Sequence, residues 1–260
     1  MTQIGTIPYL FSDSGLTALR SFVDHSTLFA FDLDGTLTPI AADPQSILVS
    51  EATREELGLL INYAPVAVIT GRSRSDAQAH LGIAPRLLIG NHGAEGLPGW
   101  EAREKEFVDM CVDWERQLSQ ILLLTDVSGI SIENKGTTLS IHYRAARNRR
   151  RARSLILKGI DLLVPRPRRV EGKCVENLLP EAAPDKGTAM LYLMDLTKCP
   201  KGCYVGDDAT DEDVFQLDGN HLFTVRVGTR GVSRAQYELR NQVEIIRLLR
   251  EINQVLARLP

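Results

Sequence analysis

No apolar run in this 260-residue chain approaches the ~20 residues that crossing a bilayer requires. The opening residues, MTQIGTIPYLF, carry no cationic stretch ahead of an apolar one, so they do not read as a secretion signal. A cytoplasmic protein with no membrane partner is expected. Cysteine is scarce, limited to Cys111, Cys174, Cys199 and Cys203. The one close pair lies in CPKGC and lacks the two-residue spacing of redox and zinc motifs, so free thiols are expected. Neither sign of charge dominates, with 30 Lys and Arg against 33 Asp and Glu. With 43% hydrophobic residues, that balance excludes disorder and collagen and fits a globular fold of one large or two modest domains. Repeats and low-complexity linkers are also missing.

Short apolar runs alternate with amphipathic stretches, the pattern of an α/β protein whose parallel sheet is covered on both faces. Strands are expected at 27–33, 65–70, 86–90, 202–206 and 222–227, with helices at 50–64, 73–81 and 186–198. Between residues 105 and 183 the pattern changes to a helix at 107–124, alternating strands at 129–134 and 137–144, a helix at 147–163 and a strand pair around 169–179. This order suits an inserted α+β domain with an antiparallel sheet, giving a core of 1–104 and 184–260 and an insertion of 105–183. Charge divides the same way. The insertion holds 14 Lys and Arg against 10 Asp and Glu, and the remainder 16 against 23.

In FAFDLDGT, Asp32 and Asp34 stand two residues apart at the end of an apolar run, so an extended backbone puts both carboxylates on one face. Such a pair repels itself unless it shares a proton or a divalent cation. Gly35 and Thr36 follow in a turn whose N–H groups can face an anion. A second acidic group, GDDATDED, follows the strand GCYV and supplies Asp207, Asp208 and Asp211. Helix capping explains two or three of these acids, but not five within residues 207–213. Hard oxygen donors with no neighbouring His or Cys suit Mg²⁺. Thr70, followed by Gly71 and Arg72 in ITGRS, and Lys186 in PDKG add a hydroxyl and an ammonium where parallel strands end. Together these groups suit phosphoryl transfer, which depends on positioning and charge neutralisation.

Read in order, FDLDGT, ITGRS, PDKG and YVGDDATDED resemble the haloacid dehalogenase superfamily of Mg²⁺-dependent phosphatases. Three further segments, GNHGAE, IENKGTTLSIHYR and VGTRGVSRAQYEL, narrow the resemblance to the trehalose-6-phosphate phosphatase family, over about residues 28–249. The resemblance implies a Rossmann-like core with an inserted α+β cap, and hydrolysis of trehalose 6-phosphate. It implies that Asp32 is the nucleophile and forms an aspartyl-phosphate, and that Asp34 is the acid and base. It further implies phosphoryl contacts from Thr70 and Lys186, and Mg²⁺ on Asp32, the Asp34 carbonyl and Asp207, supported by Asp208 or Asp211. A functional partnership with a trehalose-6-phosphate synthase follows from the same family.

Recognition of a sugar needs polar groups. Gly71, Arg72, Asn91 and His92 are candidates in the core, and Glu133, Lys135, His142 and Arg144 in the insertion. By alternation His142 and Arg144 share a face, as do Glu133 and Lys135; a solvated face with cross-strand ion pairs is the plainer alternative. Many relatives place a Glu where this chain has Asn177, with Glu176 one residue earlier, so either could serve; Lys173 and Asn177 are favoured. The basic run RAARNRRRARS invites a nucleic-acid reading. No aromatic follows Tyr143 within it, and Leu155, Ile156, Ile160 and Leu163 give the segment an apolar side, so a solvated helix face and no nucleic-acid partner are expected. Competing readings are a phosphate-accepting receiver, disfavoured by the D-x-D-G-T strand end, and a sugar-phosphate sensor without turnover. A related phosphatase acting on sucrose phosphate or a glycosyl-glycerate phosphate is the third.

Overall fold

A computed structural model describes residues 7–40, 48–123, 128–229 and 231–260. The chain begins with α1 (Asp13–Phe22), β1 (Thr27–Phe31), α2 (Glu51–Tyr63), β2 (Val66–Ile69), α3 (Arg74–Leu81) and β3 (Leu87–Ile89). The middle holds α4 (Glu101–Leu123), β4 (Ser131–Asn134), β5 (Leu139–His142), α5 (Arg149–Ile160), β6 (Arg168–Gly172) and β7 (Val175–Leu179). The last stretch adds α6 (Lys186–Thr197), β8 (Lys201–Gly206), α7 (Glu212–Phe215), β9 (Leu222–Val227), β10 (Tyr237–Leu239) and α8 (Ile245–Leu256). Two compact units result, Met1–Gly93 with Pro184–Pro260, and Ala94–Ala183.

The first unit is a parallel sheet in the order β10-β9-β8-β1-β2-β3. Every residue of β1 and β2 is buried, as a sheet covered on both faces demands of its central strands. Phe29, Phe31, Val68, Cys203 and Val205 face one core with Leu57 and Leu60 of α2 and Leu248, Leu249 and Ile252 of α8. The other face packs against α6, which buries Ala189, Met190, Leu193 and Met194. Alternation along β1 therefore turns Asp32 toward the α6 side, because Phe31 and Leu33 belong to the opposite core. Helix starts are set by side-chain caps: Ser50 accepts from the Thr53 N–H at 3.2 Å, Ser73 from Asp76 at 3.3 Å and Asp185 from Thr188 at 2.7 Å.

The second unit is an antiparallel sheet, β4-β5-β7-β6. One face carries both helices: Trp114 and Leu118 of α4 and Ile156 and Ile160 of α5 pack on Leu139, Ile141 and Leu178. The mixed α/β class with an inserted antiparallel unit agrees with the sequence reading. Helix α4 starts at Glu101, before the expected Phe107, because its first turns are polar and show no apolar period. Glu101 and Glu104 there suit a helix N-terminus. The boundary expected at 104/105 falls inside that helix. The chain leaves the first unit at Gly93, with φ +117° and so little room that a Cβ would lie 2.6 Å from the Asp185 carbonyl oxygen, a position only glycine fits. No helix among the described residues is long and apolar enough to cross a membrane.

Candidate active site

Asp32 follows β1 and is still held by the sheet, its N–H donating to the Val205 carbonyl at 2.9 Å. Gly35, at φ +79°, makes the next turn, and the Asp207 carboxyl occupies the space where its Cβ would stand. The loop after β8 can approach the loop after β1 only because that side chain is missing. The approach brings carboxylate oxygens of Asp32, Asp207 and Asp211 within 4.8 Å of one another. Lys186, the first residue of α6, is buried beside them. Its Nζ lies 3.0 Å from Asp32 Oδ1 and donates to Asp211 Oδ1 at 2.7 Å. The Tyr204 hydroxyl donates to the same Asp211 oxygen at 2.6 Å, and the Asp208 N–H donates to Asp211 Oδ2 at 2.8 Å.

One buried ammonium thus faces three carboxyls. Burial, and secondarily Asp211, push the Asp32 carboxyl up to about 7 against the pull of Lys186. Burial, then Asp32 and Asp211, push Asp207 up to about 8. Burial alone would lower Lys186, yet Asp211 and Asp32 hold it above its ordinary value. Tyr204 is raised by burial and then by the same two carboxylates, so its hydroxyl stays a donor. Asp207 Oδ1 is buried and meets no hydrogen-bond partner among the described residues. Surplus negative charge, hard oxygen donors and an orphaned carboxylate oxygen fit a divalent cation. Asp208 stands outside this group; it is exposed and accepts the Ala209 N–H at 2.6 Å in a capping box with Asp211.

Thr70 directly follows β2 in a buried position, its N–H on the Ile89 carbonyl at 2.9 Å and its carbonyl accepting the His92 N–H at 2.8 Å. Its Oγ1 accepts the Arg72 N–H at 3.3 Å. The His92 ring fills the space beside Gly71, and Asn91 and His92 both have positive φ, 50° and 60°. Such conformations are uncommon for residues with side chains and gather at functional loops. Arg72 grips Asp34 with two hydrogen bonds, Nε to Oδ2 at 2.6 Å and Nη2 to Oδ1 at 2.7 Å. Its Nη1 donates to Asp76 at 2.9 Å, and Asp76 also lies 3.2 Å from His80 Nε2.

In the second unit the strand register aligns Glu133, Ser140, Asn177 and Val170 across the sheet. Ser140 Oγ donates to Asn177 Oδ1 at 2.7 Å. His142 Nε2 lies 2.7 Å from Glu133 Oε2, and Lys135 acts electrostatically on the same carboxylate. Arg144 Nη2 reaches the Lys173 carbonyl at 3.4 Å. The adjacent row, Ile132, Ile141, Glu176 and Glu171, belongs to the helix-covered face. Glu176 is fully buried there, accepting from Arg153 Nε at 2.7 Å with Arg169 at 3.6 Å. Asn177, not Glu176, therefore shares the face of Glu133 and His142. The basic run supplies the exposed Arg149, Arg150 and Arg151 of α5, while Ala152, Ile156 and Ile160 of that helix are in the core.

Sequence reasoning did not single out Tyr204, Asp76 or His80. Tyr204 carried a signal as the one hydroxyl in GCYVG, on the same strand parity as Gly206. Asp76 carried another, four residues beyond Arg72 at the spacing of a helical ion pair.

A parallel α/β core with acids and a lysine gathered at its strand ends, bearing an inserted antiparallel unit, is the architecture of the haloacid dehalogenase superfamily. A solved structure described as a trehalose-6-phosphate phosphatase related protein has the same fold, with TM-score 0.72 at 22% identity over 88% of this chain and 98% of that one. The chain belongs to the trehalose-phosphatase family, whose profile matches residues 30–239. It is 27% identical over 235 residues to probable trehalose-phosphate phosphatase 4 of Oryza sativa subsp. japonica, covering 84% of this chain and 63% of that protein. Against the trehalose-phosphate phosphatase of Mycobacterium tuberculosis it is 29% identical over 200 residues, covering 74% of this chain and 51% of the other. The chain thus spans between half and two thirds of the length of these curated relatives.

Proposed function

We propose that this chain is a Mg²⁺-dependent phosphatase that hydrolyses trehalose 6-phosphate to trehalose and inorganic phosphate through an aspartyl-phosphate on Asp32. The observation that carries this reading is the buried Lys186 bridging Asp32 and Asp211 beside the orphaned oxygen of Asp207, in a chain of this family. Asp32 attacks phosphorus, so that a bond from its carboxylate oxygen forms as the bond to the sugar oxygen breaks. Asp34 gives its proton to the departing sugar oxygen. It then takes a proton from the water that attacks the aspartyl-phosphate, which releases phosphate and restores both side chains. Arg72 fixes the plane of the Asp34 carboxyl through its two hydrogen bonds and acts as a positioning residue. Thr70 and Lys186 bind phosphoryl oxygens, with Gly71 beside them. Asp32, the Asp34 carbonyl and Asp207 would hold Mg²⁺, with Asp208 or Asp211 in support, and the ion would supply positive charge against the phosphoryl oxygens. The three donors already on Asp211 favour a supporting part for it.

Sugar recognition is assigned to Asn91 and His92 in the first unit and to Glu133, Lys135, His142, Arg144, Lys173 and Asn177 in the second, which serves as the cap domain. Their chemistry supports this, because sugar hydroxyls need paired donors and acceptors. A trehalose-6-phosphate synthase is the functional partner, since that class of enzyme must supply the substrate. Four free cysteines suit the reducing cytoplasm.

The test is phosphate release from trehalose 6-phosphate, sucrose 6-phosphate, glucose 6-phosphate and a glycosyl-glycerate phosphate, each with Mg²⁺ and with chelator. Preference for trehalose 6-phosphate that chelator abolishes is expected, together with loss of turnover in a normally folded Asp32→Asn protein. Equal turnover of another substrate overturns the sugar assignment, and an active Asp32→Asn protein overturns the nucleophile.

A further inference from the structure

Tyr204 lies on β8, fully buried, and its ring meets Phe215 edge-on with centroids 6.0 Å apart. Packing accounts for the ring but not for the hydroxyl. A buried tyrosine hydroxyl needs a partner, and here it takes the Asp211 oxygen that also accepts from Lys186. Lys186 in turn is shared between Asp211 at 2.7 Å and Asp32 at 3.0 Å. The tyrosine therefore competes with the ammonium for one oxygen and limits how far Asp211 draws the ammonium from Asp32.

We propose that Tyr204 is a positioning residue of the acidic site: its hydroxyl fixes the Asp211 carboxylate in the orientation that faces Asp32 and Asp207, and thereby raises the affinity of the site for a divalent cation. Supporting groups around ligand carboxylates act in this way, and losing one typically weakens metal binding by about 10–100-fold. Without the hydroxyl, the Asp211 carboxylate loses one of the three donors that fix it and turns more freely, so the site is less ordered when the cation arrives. The binding consequence stands apart from the phosphatase reading, and the kinetic consequence rests on it.

The experiment is calorimetric titration of Mg²⁺ alone into the wild-type chain, Tyr204→Phe and Phe215→Leu, with melting temperatures recorded for each. Tyr204→Phe is expected to bind Mg²⁺ about tenfold more weakly. It should also lower kcat for trehalose 6-phosphate about tenfold while KM stays within twofold. Phe215→Leu disturbs the ring contact and leaves the hydroxyl; it should lower the melting temperature and keep Mg²⁺ affinity. Unchanged Mg²⁺ affinity in folded Tyr204→Phe overturns the proposal, as does equal weakening in Phe215→Leu. A wild-type chain that turns over no sugar phosphate overturns the phosphatase reading, while the titration still decides the role of Tyr204. If Tyr204→Phe does not fold, the wild-type hydroxyl proton decides by NMR: a low-field signal that shifts on adding Mg²⁺ is expected, and an unmoved one refutes the role.

Discussion

Binding of Mg²⁺ to this chain should release between about one and one and a half protons at neutral pH. Without the cation, Asp207 is held up to about 8 and Asp32 to about 7, so at pH 7 the first carboxyl is roughly nine-tenths protonated and the second about half. The cation requires both ionised, so the combined release lies between about one and one and a half protons. A site governed by the Asp207 value binds about tenfold more tightly at pH 9 than at pH 7. Calorimetry in two buffers of different ionisation enthalpy counts the protons directly. Stability should follow with a defined sign. The folded chain keeps protons on these carboxyls that the unfolded chain loses near pH 4, so the cation-free form weakens as pH rises toward 8. Saturation at about 100 times Kd should add roughly 2.7 kcal/mol and raise Tm by about 5–10 °C. No proton release and a pH-independent Kd would refute this account of the acidic site.

Three further outcomes test other parts of the molecule. Lys186→Met should destabilise the chain by about 3–5 kcal/mol in urea unfolding at pH 7, because it leaves buried carboxyls without their cation, and it should abolish phosphate release. Asn177→Ala should lower kcat/KM for trehalose 6-phosphate relative to glucose 6-phosphate by about tenfold, with kcat little changed; an unaltered ratio removes Asn177 from sugar recognition. Asp24 is held down to about 2, burial opposing the shift and the Lys201 and Ser26 hydrogen bonds prevailing. Its stabilising effect is present above its unfolded value near 4 and lost as pH falls through 2, so the Tm gap between wild type and Asp24→Asn should close over that interval.

What could be read from the sequence was local. Asp32 and Asp34 are two residues apart on one strand end, and Asp207, Asp208 and Asp211 fall within one turn-forming segment, so periodicity and charge identify them without a fold. The contacts that organise them join distant positions. Arg72 and Asp34 are 38 residues apart, and Lys186 and Asp211 are 25 apart. No periodic pattern encodes such pairs. Alternation also could not choose between Glu176 and Asn177, because a polar residue stands at both parities. The choice depends on Arg153, which reaches Glu176 from α5 on the helix side and allows a carboxylate to be buried there. Elements without an apolar period, such as the polar first turns of α4, escaped for the same reason.

The exit of the chain at Gly93, packed against the Asp185 carbonyl, has a consequence for folding. Its point of departure and its point of return coincide, so an unfolded insertion is a closed loop spanning Ala94–Ala183. Closing a flexible loop of roughly 90 residues costs about 4 kcal/mol in chain entropy. Folding of the insertion removes most of that cost in advance, because Ala94 and Ala183 meet in one small apolar cluster with Phe107 and Leu179. The second unit thus stabilises the parallel sheet through the topology of the chain alone, and mutations that unfold it should weaken the first unit even where no side chain of that unit is touched.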